Sequence, residues 1–171
     1  MSEKQQLIRD EDIRLKPYTC TAGKITIGVG RNLEGNPLKD FEVMRLLSAR
    51  PHIAVQNTPI AKLRDLLLQD FYRNGITREE AMFLFENDYD ETTRSLADAF
   101  PWLEKAPAEV RQILTNMAFQ MGVRGLKKFT GTMPLIEKGQ YKAAAANLGK
   151  SLWARQTPNR AGRLIKRLQQ V

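Results

Sequence analysis

The chain contains one cysteine, Cys20, and one histidine, His52. A lone cysteine excludes an intrachain disulfide, and the two residues together make no Cys/His set of the kind that holds zinc, so no structural metal site is expected. Long apolar runs are also missing, none approaching the ~18 residues that span a bilayer. The opening stretch MSEKQQLIRDEDIRLK lacks the apolar centre of a secretory signal, so synthesis and folding in a reducing cytoplasm are expected. No internal repeat or low-complexity segment is visible. Acidic residues are scarce in one part only: residues 101–171 hold 13 basic side chains and 3 acidic ones, whereas residues 1–100 hold 14 and 16.

What is present suits a globular fold. Of 171 residues, 42% are hydrophobic and 27% charged, a mixture of ordinary folded domains, at a length for one domain in one or two lobes. The formal charge of +8 favours an anionic partner such as nucleic acid, a membrane surface or a wall polymer, and charge alone does not choose among them. From Lys150 onward six basic residues alternate with Leu152, Trp153, Leu164, Ile165 and Leu168. That pattern fits either an amphipathic helix presenting its basic face to an anion or a solvated helix face on a packed domain.

Ser2 and Gln5 stand in capping-box positions, which predicts a short helix from about Glu3 to Glu11. RLKPYTC and KITIGVG then read as two antiparallel strands around a tight turn at Thr21, Ala22 and Gly23, with Pro17 restricting the first to a sheet edge. A third strand is expected near Leu33 to Leu38. Beyond it, DFEVMRLLSAR and PIAKLRDLLLQDFY have helical periodicity. Thr77 and Glu80 form a second capping box, opening a helix that reaches about Ala99, before Pro101. After Pro107 the pattern gives a helix over EVRQILTNMAFQMG and a glycine-containing turn. A short helix follows Thr130 or Thr132, then one continuous helix through YKAAAANLGKSLW, a break at Gln156-Thr157-Pro158-Asn159 and a last helix. Trp102, Trp153, Met117 and Met121 are expected to pack inside, and His52 is a surface or core histidine. Gly28-Val29-Gly30 lacks the third glycine and following helix of a dinucleotide loop.

Pairing the strands around Ala22 sets position 18 against 26 and 20 against 24, which puts Cys20 and Thr26 on one face as diagonal neighbours. The predicted helix ends at Glu11 only a few residues earlier, so Glu11, Cys20 and Thr26 can converge. Spacing alone also fits a buried cysteine and a solvated carboxylate beside Asp10 and Asp12.

Glu11, eight residues, Cys20, five residues and Thr26, set in DEDIRLKPYTCTAGKITIGVG, resemble the catalytic motif of the T-even phage lysozymes, the muramidases also called endolysins. The likeness extends through ITREEAMFLFENDYD, NMAFQMG, FTGT and NLGKSLWARQTPNRAGR, in family order across most of the chain. It implies cofactor-free hydrolysis of the β-1,4 bond between N-acetylmuramic acid and N-acetylglucosamine in bacterial peptidoglycan. A glycosidase needs a proton donor for the leaving oxygen and a second group that places a water or attacks the sugar. Glu11 is the natural donor. Its place at a helix C-terminus favours the protonated form, and Arg160, which by resemblance reaches Glu11, opposes this.

Cys20 stands where the family usually has aspartate. A thiol with pKa ~8.5 is only a few per cent ionised at pH 7, so Cys20 is no ready-made anion. Three roles follow: orienting water with Thr26, acting as a thiolate base, or attacking as a nucleophile; the first two are favoured, since the family inverts the anomeric centre. By position, Asn32, Phe119, Gln120, Thr132 and Asn147 correspond to the glycan-contacting part of the family's site, with Asn32 replacing a leucine and Thr132 a serine. Arg31, in place of a histidine, is expected to pair with Asp88, worth ~1 kcal/mol or less if exposed.

The resemblance implies a mostly helical α+β fold with a cleft between lobes. Residues 12–76 form a small N-terminal lobe with inserted helices, 77–99 a connecting helix, and 100–171 a helical C-terminal lobe on which 1–11 pack. The stretch between Gly30 and Thr77 is longer than the family pattern. The expected partner is peptidoglycan, with an anionic outer-membrane surface as a second contact for the basic C-terminal part. No nucleic acid is expected, and the protein is expected to be a monomer. Its expected place is the host bacterial cytoplasm, with action on the periplasmic wall after membrane permeabilisation. The alternative is a basic membrane-active or nucleic-acid-binding protein that cleaves no glycan.

Overall fold

The computed structural model describes residues 2–20 and 23–171. It divides into a hairpin unit, Glu11–Asp88, and a helical unit made of the residues up to Asp10 together with Tyr89–Val171.

Helix α1, Glu3–Glu11, starts with the reciprocal bonds of the expected capping box: Ser2 N donates to Gln5 Oε1 at 2.9 Å and Gln5 N to Ser2 Oγ at 3.3 Å. It stops because Asp12 enters the left-handed region at φ 64, where its own Oδ1 accepts the N–H of Ile13 at 2.8 Å. Asp is among the few residues that tolerate this geometry.

In the hairpin unit, β1 (Arg14–Thr19), β2 (Ile25–Gly28) and β3 (Arg31–Asn32) form an antiparallel sheet in that order. Strand β1 is an edge, and its register slips between Arg14 and Tyr18, the stretch in which Pro17 has no N–H to give. Of the predicted turn, Thr21 and Ala22 lie outside the described residues; Gly23 takes φ +75 and donates to Cys20 O at 2.8 Å. The third strand sits earlier than the expected Leu33 to Leu38. Asn32 Oδ1 accepts the N–H groups of Glu34 and Gly35, both at 3.0 Å, and turns the chain at once.

Helices α2 (Asp40–Leu47) and α3 (Ile60–Asn74) occupy the longer stretch. Val43, Leu46 and Leu47 on one, and Leu63, Leu67 and Phe71 on the other, recur at helical spacing and pack with Ile27, Leu38 and Ile76 into one core. Arg50 joins the pieces. It is 6% exposed and donates to Leu46 O at 2.7 Å, Asp70 Oδ2 at 2.7 Å, Glu80 Oε2 at 3.0 Å and Gly75 O at 3.3 Å. One guanidinium thereby ties the end of α2 to α3 and to the start of α4, Arg78–Ala99. The capping box of α4 is present, with Thr77 N to Glu80 Oε2 at 2.8 Å and Glu80 N to Thr77 Oγ1 at 3.1 Å.

The helical unit continues through a 3-10 turn (Pro101–Lys105), α5 (Ala108–Leu126, interrupted at Gly122 with φ 72), α6 (Met133–Glu137), α7 (Tyr141–Gly149), α8 (Leu152–Gln156) and α9 (Pro158–Gln169). Its core joins Val110, Ile113, Leu114 and Met117 of α5 to Ala144, Ala145 and Leu148 of α7, Trp153, and Leu164 and Leu168 of α9. Met121 and Trp102 are partly buried against this core. The continuous helix expected from Tyr141 through Trp153 is instead two. Ser151 Oγ accepts the N–H of Ala154 at 3.1 Å and caps a new helix, a local competition that serine wins at an N-terminus.

Candidate active site

Glu11, Cys20 and Thr26 all belong to the hairpin unit. Glu11 ends α1, and its carboxyl lies against the backbone of Gly30 in the β2–β3 turn. A methyl group at position 30 would stand 2.8 Å from Glu11 Oε2 and 3.2 Å from its Cδ. Gly30 also takes φ +72, so two independent constraints require glycine there. Gly30 therefore lets the Glu11 carboxyl close on the backbone of this turn.

The sheet register sets Thr26 of the central strand opposite Tyr18 on one side and Asn32 on the other. The N–H of Cys20 donates to Lys24 O at 2.9 Å, which continues the pairing beyond β1. Cys20 and Thr26 accordingly share a sheet face, on a diagonal. The hydroxyl of Thr26 also donates to Lys24 O, at 3.1 Å, so one carbonyl fixes both residues. Thr26 is 3% exposed. Asn32 spends its carbonyl oxygen on the turn at Glu34 and Gly35.

Tyr18, which the motif did not single out, stands among these groups. Burial pushes its phenol above the ordinary range; the Arg14 guanidinium opposes this, and the charges of Glu11, Cys20 and Asp12 add to it. Arg14 covers the Tyr18 ring at 4.4 Å. The phenol thus senses Glu11 and Cys20 together. Its place opposite Thr26 in the expected register was the available signal.

Behind the sheet, Arg31 and Asp88 are paired, and the pair is buried. Arg31 Nε donates to both Asp88 oxygens at 2.9 Å, while Nη1 and Nη2 donate to the Glu42 oxygens at 3.0 and 2.7 Å. The small value expected for an exposed pair does not apply, because the Arg31 and Glu42 side chains are 1% and 0% exposed. Glu42, on inserted helix α2, is a partner that the resemblance did not supply. Burial pushes the Asp88 carboxyl above its ordinary range against the pull of Arg31, with Glu42 adding to the rise and Asn36 opposing it.

In the helical unit, the residue before Glu11 is gripped: Asp10 accepts from Asn116 Nδ2 at 3.2 Å and Arg163 Nη2 at 2.6 Å. Arg160 is buried there, with Nε on Asn116 Oδ1 at 2.7 Å and Nη2 on Asn116 O at 2.9 Å. Gln120 Oε1 accepts the indole N–H of Trp153 at 2.8 Å, and Phe119 lies beside it, partly buried. Thr132 stands at the N-cap position of α6, without a side-chain cap bond, and is only 4% exposed. Asn147 is exposed and donates to Gly131 O at 3.2 Å. Among the described residues, no three His, Cys, Asp or Glu side chains cluster to hold a metal ion.

A carboxyl group held at a helix end, with a thiol and a hydroxyl on one neighbouring sheet face, can deliver a proton and handle a water molecule. Residues 9–170 match the family described as phage lysozyme. Over 168 residues, 96% of the chain, the sequence is 32% identical to the pre-baseplate central spike protein Gp5 of Enterobacteria phage T4, of which the match covers only 27%. Two proteins of Dictyostelium discoideum, probable T4-type lysozymes 1 and 2, are 31% and 29% identical over 96% of the chain and 91% of their own lengths.

Proposed function

The chain belongs to the phage lysozyme family, and from that premise we propose that it cleaves the β-1,4 bond between N-acetylmuramic acid and N-acetylglucosamine in bacterial peptidoglycan. It is a glycoside hydrolase of the lysozyme type. Glu11 gives its proton to the glycosidic oxygen as the C1–O bond breaks. A water held by Thr26 and Cys20 forms the new bond to C1 on the opposite face, and its proton passes to the Cys20 thiolate or to solvent. The observation that carries this reading is the shared acceptor: Lys24 O takes the N–H of Cys20 and the hydroxyl of Thr26. With its proton so committed, the Thr26 oxygen has only lone pairs to offer, and these can accept from water. Asn32, Phe119, Gln120, Thr132 and Asn147 are the proposed glycan contacts.

The hairpin unit carries eleven basic and eleven acidic residues, so the whole +8 resides in the helical unit. That field draws the protein to anionic wall and envelope polymers. Membrane disruption by α9 alone is the weaker reading, since its Leu164 and Leu168 are 2% and 0% exposed and offer no apolar stripe to a bilayer. Synthesis in the host cytoplasm keeps Cys20 reduced, and the wall is reached once a membrane lesion opens; protein found in the periplasm without such a lesion would contradict this.

The test is turbidity loss of purified peptidoglycan by the parent, Glu11→Gln, Cys20→Ser and Cys20→Asp proteins, with NMR of the first product. The parent clears the suspension with inverted anomeric configuration, and Glu11→Gln does not clear it. Retained configuration would replace the water mechanism with attack by Cys20.

A further inference from the structure

A cavity of about 340 Å³ lies wholly within the helical unit, between α1 and α9. Arg9 and Asp10 line it from α1, and Arg163, Lys166, Arg167 and Gln170 from α9. The four residues of α9 follow one another at intervals of three, one and three, which puts them on one helix face. Ala161, Leu164 and Leu168 hold the neighbouring face in the core, so the basic face of the helix is the one turned to the cavity.

The charge of this lining is only partly spent. Arg167 is taken up by the fold: Nε donates to Glu109 Oε1 at 2.5 Å, Nη1 to Gln6 Oε1 at 2.5 Å and Nη2 to Gln112 Oε1 at 3.0 Å. One oxygen of Asp10 accepts from Arg9 Nη2 at 3.2 Å and Arg163 Nη2 at 2.6 Å, and Asn116 donates to the other. The two arginines thereby cover the carboxylate, whose side chain is 3% exposed, while their own are 47% and 44% exposed. Arg163 donates through Nη2 alone; among the described residues its Nε and Nη1 have no partner, and neither has the exposed Lys166. With Arg167 matched by Glu109, three cations, Arg9, Arg163 and Lys166, face the single carboxylate of Asp10. Two positive charges are left over.

We propose that this cavity binds a phosphate monoester. Such a group carries about −1.5 to −2 charges at neutral pH and three acceptor oxygens. That matches both the surplus charge and the donors left on Arg163 and Lys166, with the Gln170 amide beside them. A carboxylate or a phosphodiester, each with one negative charge, would meet only half of the surplus. Asp10 need not let go, because a guanidinium has five N–H donors and can serve two acceptors at once. None of these side chains belongs to the Glu11, Cys20 and Thr26 group, so the site stands apart from the glycan chemistry. It gives the diffuse attraction of the helical unit for anions one defined address.

The test titrates the full chain with methyl phosphate, dimethyl phosphate and acetate while backbone amide signals are followed by NMR. Methyl phosphate is expected to give saturable shifts in α1 and α9 around the cavity, and to bind more tightly than the other two. Arg163→Gln/Lys166→Gln weakens its binding about fivefold or more, the scale of two solvent-exposed charge contacts. Lys166→Gln alone removes a side chain on which the fold does not depend and weakens binding about twofold or more, which keeps the test open if the double variant unfolds. Lys127→Gln/Lys128→Gln takes two exposed cations from elsewhere on the same unit and leaves binding at the parent strength. Sedimentation with phosphatidylcholine vesicles containing phosphatidic acid, whose headgroup is a phosphate monoester, then identifies the source. Sedimentation lost in the cavity variants assigns the site to a lipid headgroup, and sedimentation equal to the parent's assigns it to a soluble phosphate ester. Three results would overturn the proposal: no shifts in α1 and α9, acetate or dimethyl phosphate binding as tightly as methyl phosphate, or cavity variants no weaker than Lys127→Gln/Lys128→Gln.

Discussion

The hydroxyl of Thr26 donates to the carbonyl of Lys24 at 3.1 Å, and this fixes which hydrogen-bonding capacity of Thr26 remains for a ligand. A hydroxyl that has given its proton to a carbonyl presents only lone pairs. Thr26→Val keeps the shape and removes the acceptor, so hydrolysis of purified wall falls about 100-fold or more, in line with the loss of a group that handles a reacting water. Thr26→Ser keeps the acceptor and retains measurable activity. Wall-clearing rates measured beside circular dichroism separate this from unfolding; a Thr26→Val protein that clears wall at the parent rate refutes the assignment.

Gly30 and Glu11 make the second prediction. Alanine at position 30 meets Glu11 Oε2 at 2.8 Å while occupying a left-handed conformation that costs ~1–2 kcal/mol for a residue with Cβ. Gly30→Ala therefore lowers the unfolding free energy measured in urea by about that amount or more and also displaces the proton donor. Gly23→Ala, also at positive φ but with nothing within 4 Å of the added carbon, carries the strain without the displacement. Activity lost in Gly30→Ala and kept in Gly23→Ala is the expected pattern; equal activities would show that the contact with Glu11 has no functional weight.

Much of this architecture is legible in the sequence because it is encoded locally. The two capping boxes, the proline in an edge strand and the spacing from Cys20 to Thr26 each bind residues a few positions apart, where residue type decides geometry. The long-range partners are different. Glu42 reaching Arg31 across 11 positions, and Arg50 linking Asp70 and Glu80 across 20 and 30, leave no mark in helical periodicity, since a buried charge and an exposed one occupy the same kind of slot. The third strand was misplaced for a local reason. Leu33 to Leu38 contains Gly35, Asn36 and Pro37, which are poor strand formers, and the side chain of Asn32 captures two backbone N–H groups and turns the chain there. Tyr18 was visible as a strand residue, but its nearness to Glu11 depends on how α1 enters the sheet.

The Arg31 cluster sets two buried carboxylates on one guanidinium. Arg31→Met leaves both without their cation and costs ~3–5 kcal/mol, the range for breaking a buried pair from one side. Asp88→Asn costs much less: the carboxyl is already pushed toward its neutral form by burial, and Arg31 keeps Glu42. Urea denaturation of the two variants at neutral pH measures the contrast. Equal losses would mean that Asp88 is held as a fully favoured anion.

Acid should weaken the hairpin unit through Arg50. Burial alone would raise the Asp70 carboxyl, but hydrogen bonds from His52, Asn74 and Arg50 carry it below its ordinary 3.8. Glu80, likewise raised by burial, is carried below 4.5 by Arg50 and the Thr77 N–H. A depressed folded-state pKa gives stability that is fully present above the unfolded value and is lost as pH falls through the folded one. Asp88, raised in the fold, has the opposite sign, gaining its proton more readily in the folded state as pH falls, so the parent's total profile mixes the two. The difference between parent and Arg50→Met isolates the Arg50 part, since Asp88 is common to both. That gap is about 3–5 kcal/mol at pH 7 and narrows as pH falls below 4.5 and then 3.8, the ordinary values from which Glu80 and Asp70 are lowered. Urea midpoints of both proteins from pH 7 to pH 2.5 give the curve, and a gap that stays constant across that range would show that Arg50 acts by packing on Phe71, 5.1 Å from its guanidinium carbon, rather than by charge.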